Sequence, residues 1–410
     1  MSASLSSARA PLVDRFPHLL AGGIAVLAYL GLAVGVQRVG RREVVSQAAA
    51  LAPLMFPDKW RGRAAQLALF KHDDILPVYG SSELVVDMPY RASEFFGAYP
   101  TDFTVAPIGD RGFPPLSMAI ALGSLGEDIR GKRLVVSLSG TWFLGDDSRN
   151  DRVTFRAHYS ALQVGDVVFR SGLPIALRRR FAQLVRVYAE PGDISPFLAT
   201  TLSCLDRRCA YEPLLPLLGP LWWIRSATLR AYNHAALAAK LHGMDVPRRY
   251  PRELDWRALE ASGDSMWRTR SASNPFGIQD SIWFADHDRI VRGKDKVADS
   301  LFLGRIARAP KWAELELLLA TLRALGARPL VLVTPLKGGF WDYKGVSTSA
   351  RSQFYARLDS ATRRFGFPTR TFQEYDGDPY FLSETRSHLS PKGWAVYDRT
   401  INAFYHDSIR

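Results

Sequence analysis

From Leu19 to Val36 the sequence LLAGGIAVLAYLGLAVGV contains no charged residue, and no other segment of the chain matches it in length and apolarity. Eighteen residues at a helical rise of about 1.5 Å reach roughly 27 Å, close to the ~30 Å hydrocarbon thickness of a bilayer. Such a run near a chain start is either a retained anchor or a signal peptide. The small residues of QAAALA at 47–52 offer a cleavage site, but they lie about ten residues beyond the apolar run, and the run is long for a signal peptide. The chain is therefore expected to have a short tail over 1–18, an uncleaved transmembrane anchor over 19–37, a helical stalk over 38–72 and a folded domain over 73–410. Arg9 and Arg15 precede the apolar run, while Arg38, Arg41 and Arg42 follow it, so flanking charge does not choose an orientation.

The net charge of +13 and pI near 9.8 would suit nucleic acid, a membrane surface or an anionic polymer. The arginines are spread along the whole chain and form no helix-turn-helix, zinc-finger or RNP pattern, so nucleic acid is not expected as a partner. Cys204 and Cys209, the two cysteines, are close enough in sequence to close a short loop as a disulfide in an oxidising compartment; otherwise they are two small buried thiols. Their spacing alone makes no zinc site, and neither a metal nor a cofactor is expected.

ILPVYG (75–80), DFTVAPIG (102–109), KRLVVSLSG (132–140) and PLVLVT (329–334) read as short strands. They are apolar runs rather than alternating ones, and helix-like segments separate them. That pattern predicts an α/β fold with a parallel sheet covered on both faces. Residues 150–300, rich in helical patterns and tryptophan, read as a helical insertion. The sheet pattern resumes at Pro310, where Leu315, Leu318, Leu319, Leu322 and Leu325 mark one helical face ending at Gly326.

GSS at 80–82 follows the first strand, where open α/β sheets place their ligand crevices. By itself it is common turn chemistry. A serine hydroxyl becomes a nucleophile only with a base to take its proton and a third group to orient that base. Among the eight histidines, His388 in YFLSETRSHLSPKGW is the strongest candidate base. Glu384, four residues earlier, could orient its ring if the segment makes a helical turn.

Several long words in the chain resemble the DltD family, whose members are membrane-anchored proteins of the D-alanylation system with a catalytic domain similar to SGNH (GDSL-like) hydrolases. The similarity covers GSSEL (80–84), SLSGTWF (137–143), SNPFGIQDS (273–281), PLKGGFWDYKGVS (335–347) and DPYFLSETRSHLSPKGW (378–394), in the same order and behind the same N-terminal anchor. The resemblance implies a three-layer parallel sheet of SGNH-hydrolase type, with Ser82 as nucleophile and His388 as general base. It also suggests the Gly112 amide, with that of Ser82, as an oxyanion donor. The family usually has an aspartate three residues before the histidine, whereas this chain has Glu384 one residue farther away; Asp376 is a more distant alternative. Ser390-Pro391 replaces the usual Gly-Trp, and Thr141 stands where many relatives carry glutamine.

The function implied is transfer of D-alanyl groups to hydroxyls of a cell-envelope polymer through a Ser82 ester, on the extracytoplasmic side. The partners implied are a membrane-bound O-acyltransferase, an acyl-carrier protein, and an anionic acceptor that is teichoic acid or another envelope glycan. Two rival readings stand beside it: an SGNH-type esterase or thioesterase that uses the same residues but admits water, and a non-catalytic scaffold for the D-alanylation machinery in which the serine is incidental.

Overall fold

The four apolar runs become four parallel strands, β1 (Ile75–Tyr79), β2 (Thr104–Ile108), β3 (Arg133–Ser139) and β4 (Arg328–Thr334). A two-residue strand that the sequence did not suggest, β5 (Thr369–Arg370), completes the sheet in the spatial order β2-β1-β3-β4-β5. The computed structural model describes residues 17–98, 101–145, 148–190, 192–246, 251–291 and 296–409. Because β2 and β3 flank β1 on opposite sides, the strand order reverses there. The crevice of such a sheet lies at the C-terminal ends of the strands beside that switch point, which is where Ser82 falls.

The helices used below are α1 (Pro17–Ser46), α2 (Pro115–Leu125), α3 (Gly219–Arg225), α4 (Ala227–Leu241), α5 (Trp256–Arg270), α6 (Asp280–Val291), α7 (Lys311–Ala324), α8 (Thr348–Arg363) and α9 (Pro391–Tyr405). Strand residues of opposite parity face two separate cores. Leu134, Val136, Leu138, Val331 and Val333 join α2 and α7 in one core, whereas Leu76, Val78, Val135, Leu330 and Leu332 join Trp267 of α5 and Trp394, Tyr397 and Ile401 of α9 in the other. This explains the unbroken apolar runs, since a strand covered on both faces has no polar side to alternate with. The five leucines predicted to line one face of α7 are all buried, each contributing about 2 kcal/mol of transfer free energy.

α1 continues ten residues past the apolar run, to Ser46. Residues 38–72, expected as a stalk, contribute Val44, Leu51, Trp60, Ala65 and Leu69 to the first core through α1 and three short helices, Ala48–Leu51, Pro57–Arg61 and Ala64–Leu69. Within the described part of 150–300 every regular element is helical, as the sequence predicts. Cys204 and Cys209 are joined as a disulfide there.

Candidate active site

β1 ends in a tight approach between two strand ends. The Gly80 amide donates to Ile108 O at 3.1 Å, continuing the pairing with β2 by one step. Gly109 has φ +135°, and a Cβ there would lie 2.0 Å from Gly80 O. A side chain at 109 would thus meet both backbone strain and a clash. Beyond Gly80 the chain turns through one 3₁₀ turn, Ser82–Leu84. This turn leaves Ser82 half-buried at the crevice while Ser81 and Glu83 go inside.

Glu83 holds the turn from below. Its Oε1 accepts from the Ser81 amide at 2.8 Å and from Ser137 Oγ at 2.7 Å. Ser137 lies on β3 and in turn accepts from the Tyr397 hydroxyl at 2.7 Å. Burial pushes the Glu83 carboxyl above its ordinary pKa, an effect only partly offset by these hydrogen bonds. The hydrogen-bond chain in which Tyr397 donates to Ser137 and Ser137 donates to Glu83 therefore ties α9 and β3 to the elbow that presents Ser82.

His388 arrives from the other end of the sequence on a loop, not on a helix. Leu382 and Leu389 form an isolated antiparallel bridge. The Ser383 amide donates to His388 O at 2.8 Å, and the Ser390 amide donates to Phe381 O at 3.0 Å. The helical turn expected for Glu384 and His388 is therefore absent, and no strand precedes the histidine directly. A closed loop does the same work, folding residues 383–388 back on themselves so that Glu384 Oε1 lies 2.9 Å from His388 Nδ1. On the far side of the ring, His388 Nε2 lies 2.9 Å from Ser82 Oγ. A carboxylate can only accept, so the tautomer with its proton on Nδ1 is the one that suits both neighbours, and it leaves Nε2 able to accept from the Ser82 hydroxyl.

Three of the predicted site residues thus converge. The fourth, Gly112, has its amide engaged by Ser81 Oγ at 2.9 Å, so the expected oxyanion donor is bonded to the neighbouring serine. Asp376 is committed elsewhere: its carboxylate accepts from Arg351 Nε at 2.9 Å and from the Tyr355 hydroxyl at 2.7 Å, both on α8. Thr141 Oγ1 shares a 2.8 Å hydrogen bond with Ser139 Oγ.

The other long words of the sequence meet at the histidine loop. In SNPFGIQDS, Asn274 Oδ1 accepts from the Ile278 amide at 3.0 Å, and the Gln279 amide donates to Ser383 O at 3.0 Å. Gly277, at φ +63°, passes so close that a Cβ would lie 2.0 Å from Pro379 O. In PLKGGFWDYKGVS, Lys337 is buried, and its Nζ donates to Leu382 O at 2.6 Å, to Pro379 O at 3.0 Å and to Gly277 O at 3.4 Å. Burial pulls its pKa down to about 7, against the opposing pull of Asp378 and Glu384. Ser390 and Pro391 have a local explanation: Ser390 Oγ caps α9 by accepting from the Gly393 amide at 3.1 Å, with proline at the first helical position.

The sequence matches the DltD protein family over residues 55–406. The chain belongs to the DltD family. Among its relatives, the protein DltD of Bacillus subtilis (strain 168) is 27% identical over 378 residues, covering 89% of this chain and 90% of the relative. The protein DltD of Staphylococcus aureus (strain NCTC 8325 / PS 47) is 23% identical over 346 residues, covering 83% of each. That of Lacticaseibacillus rhamnosus is 22% identical over 341 residues, covering 81% of this chain and 78% of the relative. The DltD match spans the whole sheet and both segments that meet at Ser82.

Sequence reasoning quoted the words containing Glu83 and Lys337 but assigned neither residue a place. Each is a charged residue within a few positions of the end of an apolar strand, Glu83 after β1 and Lys337 after β4, and that is the signal that was available. Buried ionisable groups have to find partners, and both of these find them in the two backbone segments that present Ser82 and His388.

Proposed function

We propose that this DltD-family chain is a serine acyltransferase that passes D-alanyl groups to hydroxyls of a cell-envelope polymer through an ester on Ser82. The observation that carries this reading is the continuous chain of contacts from Glu384 through His388 to Ser82, at 2.9 Å on each side of the imidazole. Ser82 Oγ attacks the acyl carbonyl carbon, and its proton passes to His388 Nε2. The tetrahedral adduct collapses, the bond to the donor's leaving group breaks, and His388 returns the proton to that group. An acceptor hydroxyl then gives its proton to His388 and attacks the Ser82 ester, after which Ser82 recovers its proton. Glu384 holds the ring and stabilises the imidazolium formed in each half. The Ser82 amide is the first proposed oxyanion donor, and Gly112 serves as a second when its amide exchanges Ser81 Oγ for the developing oxyanion.

The D-alanyl group is the acyl unit implied by membership of the family. α1 is long and apolar enough to cross a bilayer, and we assign it as the single-pass anchor, with the catalytic domain on the extracytoplasmic side. The donor would reach Ser82 through the membrane-bound O-acyltransferase and the acyl-carrier protein of that system, and the chain's positive charge suits an anionic polymer acceptor.

The full chain incubated with a D-alanyl thioester should carry one alanyl group on the peptide containing Ser82, detected by mass spectrometry. Addition of polymer acceptor should discharge it faster than water does. Acylation elsewhere, or no acylation, contradicts the covalent route; discharge at the same rate without acceptor identifies an esterase instead.

A further inference from the structure

The segment PLLPLLGPLWWI, residues 213–224, contains no charge. It forms a 3₁₀ helix, Glu212–Leu218, followed by α3. Leu217 is 72% exposed and Leu214 53%, with Leu221 and Ile224 exposed beside them, and Tyr232 of α4 is 68% exposed. A water-facing surface rarely carries so many large apolar side chains in one stretch of chain.

Its position relative to α1 identifies what covers it. α4 runs alongside the C-terminal half of α1 in the same direction. The Tyr29 hydroxyl is hydrogen-bonded to the Thr228 hydroxyl, Gln37 Nε2 donates to Ala227 O at 3.4 Å, and Glu43 lies 3.7 Å from His242 at the other end. Between them a Cβ on Gly40 would lie 2.9 Å from His234 Cβ, so the two helices are in close contact. The start of α4, and the apolar segment that leads into it, therefore lies level with the last part of the uncharged run of α1. At about 1.5 Å per residue, Tyr29 is roughly 10 Å inside the end of that run at Val36, while Gln37, which meets Ala227, lies just past it, so the start of α4 sits between these two levels.

We propose that residues 213–232 form a second, non-spanning membrane contact, inserted into the leaflet on the side of the catalytic domain. The proposal rests on the reading of α1 as a membrane anchor. The depth bracketed by Tyr29 and Gln37, from the end of the run to roughly 10 Å inside it, overlaps the ~5–10 Å to which interfacial helices sink into the headgroup and acyl boundary. Arg38, Arg41 and Arg42 follow the apolar run of α1, and exposed Arg225 ends α3, placing cations at the level of anionic headgroups. Trp223, half-buried in the same segment, is a residue type enriched at that interface. A cavity of about 910 Å³ lined by Phe197, Tyr211, Leu215 and Leu218 adjoins this segment, giving its apolar surface depth as well as area. With two attachments, the domain is held at a set distance and tilt from the bilayer rather than swinging on one helix.

The test uses the full chain reconstituted into vesicles of phosphatidylcholine and phosphatidylglycerol, with a nitroxide label on Leu217→Cys or Leu221→Cys. The native cysteines are paired with each other and do not take the label. Two reference positions are Leu27→Cys on α1 and Phe284→Cys on α6, where Phe284 is 70% exposed. Labels at 217 and 221 should collide with dissolved oxygen several-fold more than with a water-soluble nickel chelate, as at 27, while the label at 284 should show the reverse. If 27 is lipid-facing but 217 and 221 resemble 284, the second contact is wrong while the anchor stands. Nickel access at 27 removes both. Protection at 217 that appears only after a membrane-protein partner is added also overturns the proposal, because the surface is then a protein interface.

Discussion

The Nε2 atom of His388 and the Oγ atom of Ser82, 306 residues apart in sequence, lie 2.9 Å apart. Two separate supports hold that distance. Glu83, Ser137 and Tyr397 brace the serine turn, while Lys337 and the 273–281 segment brace the histidine loop. If the pair acts as a unit, Ser82→Ala and His388→Ala should each reduce acyl transfer by at least about 10⁴-fold, and the double variant should be no worse than either. Additive losses in single-turnover assays would mean that the two residues act separately.

Glu384→Gln keeps the size of the side chain but presents a neutral group to Nδ1, and its amide can select the wrong imidazole tautomer. The expected loss is roughly 10³- to 10⁴-fold in kcat. Glu384→Asp should retain far more activity than the glutamine variant. Equal activity of the glutamine and aspartate variants would leave the carboxylate without an orienting role.

Lys337 is linked to stability through pH. Burial lowers its folded pKa to about 7, below the unfolded value of about 10.4. Between these values the unfolded chain binds more protons, so stability rises with pH through that window and is flat below it. Wild-type protein should gain roughly 3 kcal/mol more than Lys337→Met between pH 7 and pH 9.5 in denaturant titrations in detergent. A pH-independent difference would show that the three carbonyls keep the ammonium charged across the window. In either case the methionine variant should lose activity, because Pro379 O and Leu382 O lose their donor.

Glu83 has its folded pKa raised by burial, so the sign is opposite to that of a paired carboxylate. Its contribution to stability falls as pH rises through the carboxylate range, where the unfolded chain releases its proton first. Glu83→Gln removes that dependence and should stay within about 1 kcal/mol of wild type at neutral pH. Glu83→Ala strands the Ser81 amide and the Ser137 hydroxyl and should cost about 2–3 kcal/mol. Thermal unfolding of both variants at pH 5 and pH 8 checks the ordering, and equal destabilisation by the two would contradict it.

Much of the architecture was legible because it depends on short-range pattern. Apolar runs such as KRLVVSLSG and PLVLVT can be satisfied only by strands buried on both faces, and β3 and β4 are such strands. β5 was not legible, because two residues carry no periodicity. Residues 38–72 look polar on one face of their short helices, and it is the folded chain that packs their alanines and leucines into the first core. Glu384 was placed beside His388 on helical spacing, and the two do meet, but through a hydrogen-bonded loop whose geometry no four-residue count contains.

Residue order alone determined the apolar membrane-length run, the parallel sheet and the turn after β1, because each follows from neighbouring side chains and their partition between water and apolar surroundings. Only the folded chain decided which acid faces His388, why Asp376 is committed to α8, and that the Gly112 amide is held by Ser81. Those outcomes are set by distances between segments far apart in the chain, and hydrogen bonds act over a few ångströms regardless of sequence separation.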